Sequence, residues 1–276
     1  MQTRPLRPAG HPDGKLVSPV RALYLVPRCL LPAAAGLLIG LLAATASSAT
    51  DRPLLALDPG HSPKQPGALG CAGVYEVTYN DRFVAELIPL LEQAGWQVIL
   101  TRRPDESISL KERTDRARQR GAALLLSIHH DSVLPEFVQR SRKNGRTVQC
   151  STAPEHYNFR GFSLFISARN PRYAESRRFA ALIGRHLRRA GREPALYHAD
   201  PVLGENRPLL DKEHGIHRYD ELSVLRRAVM PAVLLEVGVI LDEADEAWID
   251  DKDKRRAIVE AVAEAAADFR QTGPEK

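Results

Sequence analysis

Several side chains in this sequence have types and positions suited to one chemistry. His61 follows an apolar run, Leu54-Leu55-Ala56-Leu57, that stops at Asp58-Pro59-Gly60. Glu76 opens an amphipathic stretch after a glycine-bearing segment, 67–73. His129, His130 and Asp131 come directly after the apolar run 123–128, and Glu236 sits at the end of another within Leu234-Leu235-Glu236-Val237-Gly238. Two imidazoles and one carboxylate make an open zinc site that keeps a position for water. Zinc there lowers the pKa of the water and polarises a bound carbonyl. A further carboxylate carries the water's proton to a leaving nitrogen. That is the minimum equipment for amide hydrolysis. Each piece alone is weak: a histidine after a strand is more often structural, and a glutamate at a helix start is usually a dipole or capping group. Glu236 is harder to dismiss, because an ionisable group at the end of so apolar a strand is costly without a task or a partner.

These residues need elements to position them. The runs 54–57, 96–100, 123–128, 162–166 and 232–237 read as strands, and 76–94, 110–120, 174–190 and 258–269 as helices. Pro89 argues for a kink or an early break in the first helix, and the arginine-rich face of 174–190 reads as solvent-facing. Strands alternating with helices imply a single α/β domain, its sheet mostly parallel, twisted and covered by helices on both faces. In such sheets ligands bind beyond the carboxyl ends of the strands, where the polar clusters fall. Two stretches, 132–160 and 198–219, break the alternation and read as long loops decorating the site end of the sheet.

Charge and composition bound the function. Of the net charge of +5, residues 1–49 carry +4 and the remainder +1. The basic balance therefore gives no reason to expect nucleic acid as a partner. Residues 1–49 read as a signal peptide: a basic stretch to Arg28, an apolar run over 29–44 shorter than a membrane span, then small residues at Ala44-Thr45-Ala46 and Ser47-Ser48-Ala49. An uncleaved anchor is the alternative reading; either places the domain over 50–276 outside the cytoplasm, in the periplasm or beyond, with no stable span after cleavage. Cys71 and Cys150 remain as a pair that is able to bond in an oxidising compartment, or as two unrelated thiols. The loop 132–160 carries Arg140, Arg142, Lys143 and Arg146 and reads either as a solvated basic loop or as a flap over the cleft, pinned through Cys150 to Cys71.

Four motifs in order give these residues a family. Leu57-Asp58-Pro59-Gly60-His61, Gly73-Val74-Tyr75-Glu76, Leu126-Ser127-Ile128-His129 and Pro231-Ala232-Val233-Leu234-Leu235-Glu236-Val237-Gly238 resemble the zinc-dependent N-acetylmuramoyl-L-alanine amidases of the amidase-3 type. Leu100-Thr101-Arg102 with Asp105, and Leu110 with Arg113, match between them, and the resemblance spans roughly 54–269. It implies zinc held by His61, Glu76 and His129, with Glu236 as the catalytic carboxylate. His130 is not required as a ligand by the family pattern and is left to a supporting or substrate-contacting role. The implied reaction splits the amide between the lactyl group of N-acetylmuramic acid and the L-alanine of the stem peptide, in peptidoglycan or soluble muropeptides, by a monomeric enzyme. Ser62-Pro63-Lys64 after the first histidine and Ala117-Arg118 in the second helix depart from the family pattern without touching a ligand. A zinc peptidase or deacylase of similar fold, and a non-catalytic wall-binding protein, are the rival readings.

Overall fold

The computed structural model describes residues 52–154 and 157–273. The expected signal segment lies outside the described residues. Among them, no helix is long and apolar enough to cross a membrane.

A seven-stranded sheet forms the centre. Its strands are β1 (Leu54–Pro59), β2 (Gln97–Leu100), β3 (Leu124–Asp131), β6 (Ser163–Ile166), β7 (Leu209–Asp211), β8 (Ile216–Arg218) and β9 (Ala232–Val239), in the order β2-β1-β3-β9-β6-β8-β7. Strands β2, β1, β3 and β9 run parallel, whereas β6 meets β9, and β7 meets β8, antiparallel. Near-continuous apolar runs in β1, β3 and β9 suit strands covered on both faces. One face carries the larger core, under α1 (Glu76–Gln93), α3 (Tyr173–Arg189) and α6 (Lys252–Thr272). The other carries a smaller core, under α2 (Leu110–Gln119) and α4 (Ser223–Arg227). Helix α5 (Glu243–Asp250) follows β9.

Side chains alternate across a strand, and this decides which face the chemistry occupies. Leu125, Leu234 and Phe165 belong to the smaller core. Counting by two along the same strands puts Ser127, His129, Glu236 and Ser163 on that face as well.

Three expectations are corrected. The first helix does not break at Pro89 but runs to Gln93. The segment 132–160 is not irregular throughout: it folds as an antiparallel hairpin of β4 (Val138–Lys143) and β5 (Arg146–Ser151). Asn144 and Gly145 at its tip both have positive φ, 50° and 78°, the conformation Asn-Gly favours in a tight hairpin. The segment 198–219 is not mere decoration, since β7 and β8 extend the sheet. Cys71 and Cys150 are joined in a disulfide. The arginine-rich face of α3 meets solvent, with Arg177, Arg185, Arg188 and Arg189 exposed.

Candidate metal centre

His61 is placed by its backbone. It leaves β1 with φ 61°, a conformation uncommon for any residue but glycine. Two buried arginines hold it there. Arg102 Nε donates to the His61 carbonyl at 2.7 Å and its Nη2 to the Gly60 carbonyl at 2.9 Å. Arg113 donates to the carbonyls of His61 and of Pro59, the latter at 2.6 Å. Both cations are compensated: Arg102 pairs with Asp81 at 2.7 Å, and Arg113 with the buried Asp58 at 3.0 Å. Asp58 also accepts from Ser127 Oγ at 2.7 Å and from Thr101. The matches at Thr101, Arg102 and Arg113 thus belong to a clamp on the turn that presents His61.

Glu76 is the first residue of α1, and its N–H donates to the Ala68 carbonyl at 2.9 Å. The loop before it is tied down by Glu246 of α5, which accepts from Ala72 N–H and from the Tyr79 hydroxyl, each at 2.7 Å. The disulfide and a backbone bond from Gln149 N–H to the Gly70 carbonyl fasten the same loop to β5.

The three side chains converge. Glu76 Oε2 lies 2.8 Å from His61 Nε2, and its Oε1 2.9 Å from His129 Nδ1. Burial pulls the Glu76 pKa up, but hydrogen bonds and charge from His129 and His61 outweigh it and hold the carboxyl well below the usual range. Asn80 Nδ2 donates to the same carboxylate at 3.2 Å. Space is tight: a Cβ on Gly60 would stand 2.4 Å from the His129 ring, and one on Gly67 2.4 Å from Glu76 Oε2. One donor atom from each of the three lies within 4.8 Å of the others. Two imidazoles and a carboxylate, with His61 a third exposed, fit a divalent zinc with one side open to solvent.

His130 points elsewhere. It is buried, its Nδ1 is bonded to Asn80 Oδ1 at 2.7 Å, and burial pushes its pKa down to about 3. Through Asn80 it supports the carboxylate and the Gly60 carbonyl.

Glu236 is the Cα register partner of His129 on the neighbouring parallel strand. Its Oε2 is buried with no hydrogen-bond partner. Burial, and then the charges of Asp131, Glu76 and Glu205, push its pKa well above the ordinary carboxylate range. A carboxyl oxygen buried without a partner makes the ionised form costly, which favours proton uptake by this group.

Sequence reasoning missed a second polar cluster beside Glu236. His198 is held between Asp131 Oδ2 at 2.7 Å and Glu205 Oε2 at 2.9 Å, stacked on Tyr197 with ring centroids 4.1 Å apart. The Tyr197 hydroxyl donates to Asp131 and to the Ser132 carbonyl. Burial lowers the His198 pKa, yet the two carboxylates win and raise it to about 9. Its segment has no hydrophobic period to place it; only the histidine and acid content of 198–205 hinted at a network.

The fold and this site define a class: an α/β domain with two imidazoles and two carboxylates gathered toward the carboxyl edge of a mostly parallel sheet. The amidase-3 family profile, described as N-acetylmuramoyl-L-alanine amidase, matches residues 55–268, and the chain belongs to that family. It is 29% identical over 230 residues to the probable N-acetylmuramoyl-L-alanine amidase AmiB of Haemophilus influenzae, covering 78% of this chain and 51% of that one. It is 25% identical over 235 residues to the N-acetylmuramoyl-L-alanine amidase AmiC of Neisseria meningitidis, covering 77% and 51%. The chain thus spans about half the length of these curated relatives. The catalytic domain of CwlV, an amidase from Paenibacillus polymyxa, superposes with a TM-score of 0.57 at 25% identity, over 79% of this chain and 98% of that one. An amidase structure from Clostridium difficile 630 superposes with a TM-score of 0.61 at 20% identity, over 82% and 100%, and shares the fold.

Proposed function

We propose that this chain is an exported zinc amidase, active as a monomer, that cleaves the bond between the lactyl group of N-acetylmuramic acid and L-alanine in peptidoglycan or its fragments. The observation that carries the reading is the convergence of His61 and His129 on Glu76, with Glu236 in register beside His129. His61, Glu76 and His129 would hold the metal. A bound zinc supplies Lewis-acid polarisation of the scissile carbonyl and a more acidic water. Glu236 accepts a proton from the attacking water and passes it to the leaving nitrogen. Arg102 and Arg113 keep His61 aimed.

Mass analysis of products from digested wall material tests this. The reading expects intact stem peptides with a new L-alanine amino terminus and glycan bearing a free lactyl carboxylate. Cleavage inside the stem peptide, or loss of acetyl groups from the sugars, would assign the site to a peptidase or a deacylase.

A further inference from the structure

Beside the candidate metal ligands lies a pocket of about 260 Å³. His61 and His129 form part of its wall, and Ile108, Leu110, Leu222 and Leu234 make it largely apolar. Leu110 is 49% exposed at its rim. A concave, mostly apolar pocket with a few convergent polar groups is the usual form of a small-molecule subsite.

The pocket is sided. It touches two of the three candidate ligands, but Glu236 is not in its wall; Leu234, one step earlier on the same face of β9, is. Hydrolysis puts the water's hydroxyl on the carbonyl carbon, breaks the carbon–nitrogen bond and delivers a proton to nitrogen. The nitrogen must therefore face Glu236, which leaves the acyl half of the substrate towards the His61 end of the ligand set, where Ile108 and Leu110 line the pocket. Resting on the amidase reading above, we propose that this pocket is the acyl-side subsite, receiving the lactyl unit and the adjoining edge of the sugar ring, and that Ile108 and Leu222 set its selectivity. The size agrees: a water's share of liquid is about 30 Å³, so the pocket of about 260 Å³ takes roughly nine such units.

The test uses three synthetic substrates: a muramoyl-L-alanyl peptide, the same compound lacking the lactyl methyl, and one with glycine in place of L-alanine. A methylene in an apolar pocket is worth about tenfold or more in kcat/KM, so the wild type should prefer the lactyl compound over its demethylated analogue by that factor. Ile108→Trp fills the pocket from one wall and Leu222→Trp from another, so a folding failure in one leaves the other. Each should bring the ratio close to one while the preference for alanine over glycine is kept. Calorimetry on the metal-free protein should show N-acetylmuramic acid binding weakened by the same variants. An unchanged ratio in both folded variants overturns the assignment. So does a change in the alanine–glycine preference instead, which would place the amine half in the pocket. A wild type that hydrolyses the lactyl compound without preferring it defeats the subsite alone. One that hydrolyses none of the three with zinc present defeats the amidase reading.

Discussion

His129 on β3 and Glu236 on β9 are directly opposed in the parallel ladder, each the other's Cα partner. Their side chains leave the same face of the sheet. A single register therefore fixes a candidate ligand beside the candidate proton carrier. A slip of one residue in either strand would send one of them to the opposite face.

The Asp58–Arg113 pair makes the first prediction. Both side chains are buried, so removing one leaves the other uncompensated, at a cost of about 3–5 kcal/mol. Arg113→Ala should lose that much in denaturant unfolding and should also bind zinc more weakly, because the His61 carbonyl loses a donor. Arg113→Lys should recover little, since a single ammonium cannot reproduce the fork. Full zinc affinity in a folded Arg113→Ala would remove the clamp from the account.

The disulfide makes the second. It closes a 79-residue separation and ends five residues before Glu76. Cys150→Ser should cost about 2–4 kcal/mol by the usual worth of such a bond. It should also raise hydrogen exchange in 68–75 and in the hairpin together. Peptide mapping without reduction checks that the bond forms, and unchanged exchange in the metal loop would uncouple the two.

His198 makes a pH prediction. Its folded pKa is raised to about 9 from an ordinary 6.5. The stabilisation is therefore fully present below about pH 6.5 and is lost as pH rises through 9. The unfolding free energy of wild type minus that of His198→Asn should be largest near pH 6 and shrink towards pH 10. A difference that stays flat over that range would mean the ring is neutral between Asp131 and Glu205.

Metal removal makes the fourth. Zinc analysis should find about one ion per chain, and chelation should abolish hydrolysis until zinc is returned. His61→Ala and His129→Ala should lose ion and activity together. His130→Asn should keep the ion, since that ring is turned towards Asn80. Full-rate hydrolysis after thorough chelation would contradict the site.

Much of this arrangement was legible in sequence because local signals agreed with the fold. The apolar runs ending at Asp58, His129 and Glu236 marked strands whose carboxyl ends meet, and Gly67 to Glu76 marked a loop entering a helix. The hairpin went unread although Asn144-Gly145 is a strong turn signal, because its strands are polar, β4 mostly exposed and β5 half-buried, and so lack an apolar alternation. The strands β7 and β8 are three residues each, too short for any period to show. His198 was illegible for a different reason: its partners Asp131 and Glu205 are brought to it by the tertiary fold, and one of them lies 67 residues away.

The most direct test of the central claim is a paired measurement on Glu236→Gln: zinc content and turnover of a defined muropeptide. The account predicts wild-type zinc, a folded protein and a rate lower by about 10² to 10⁴, the usual contribution of general acid–base catalysis. Wild-type turnover would remove Glu236 from the mechanism, and loss of the metal would make it a ligand instead.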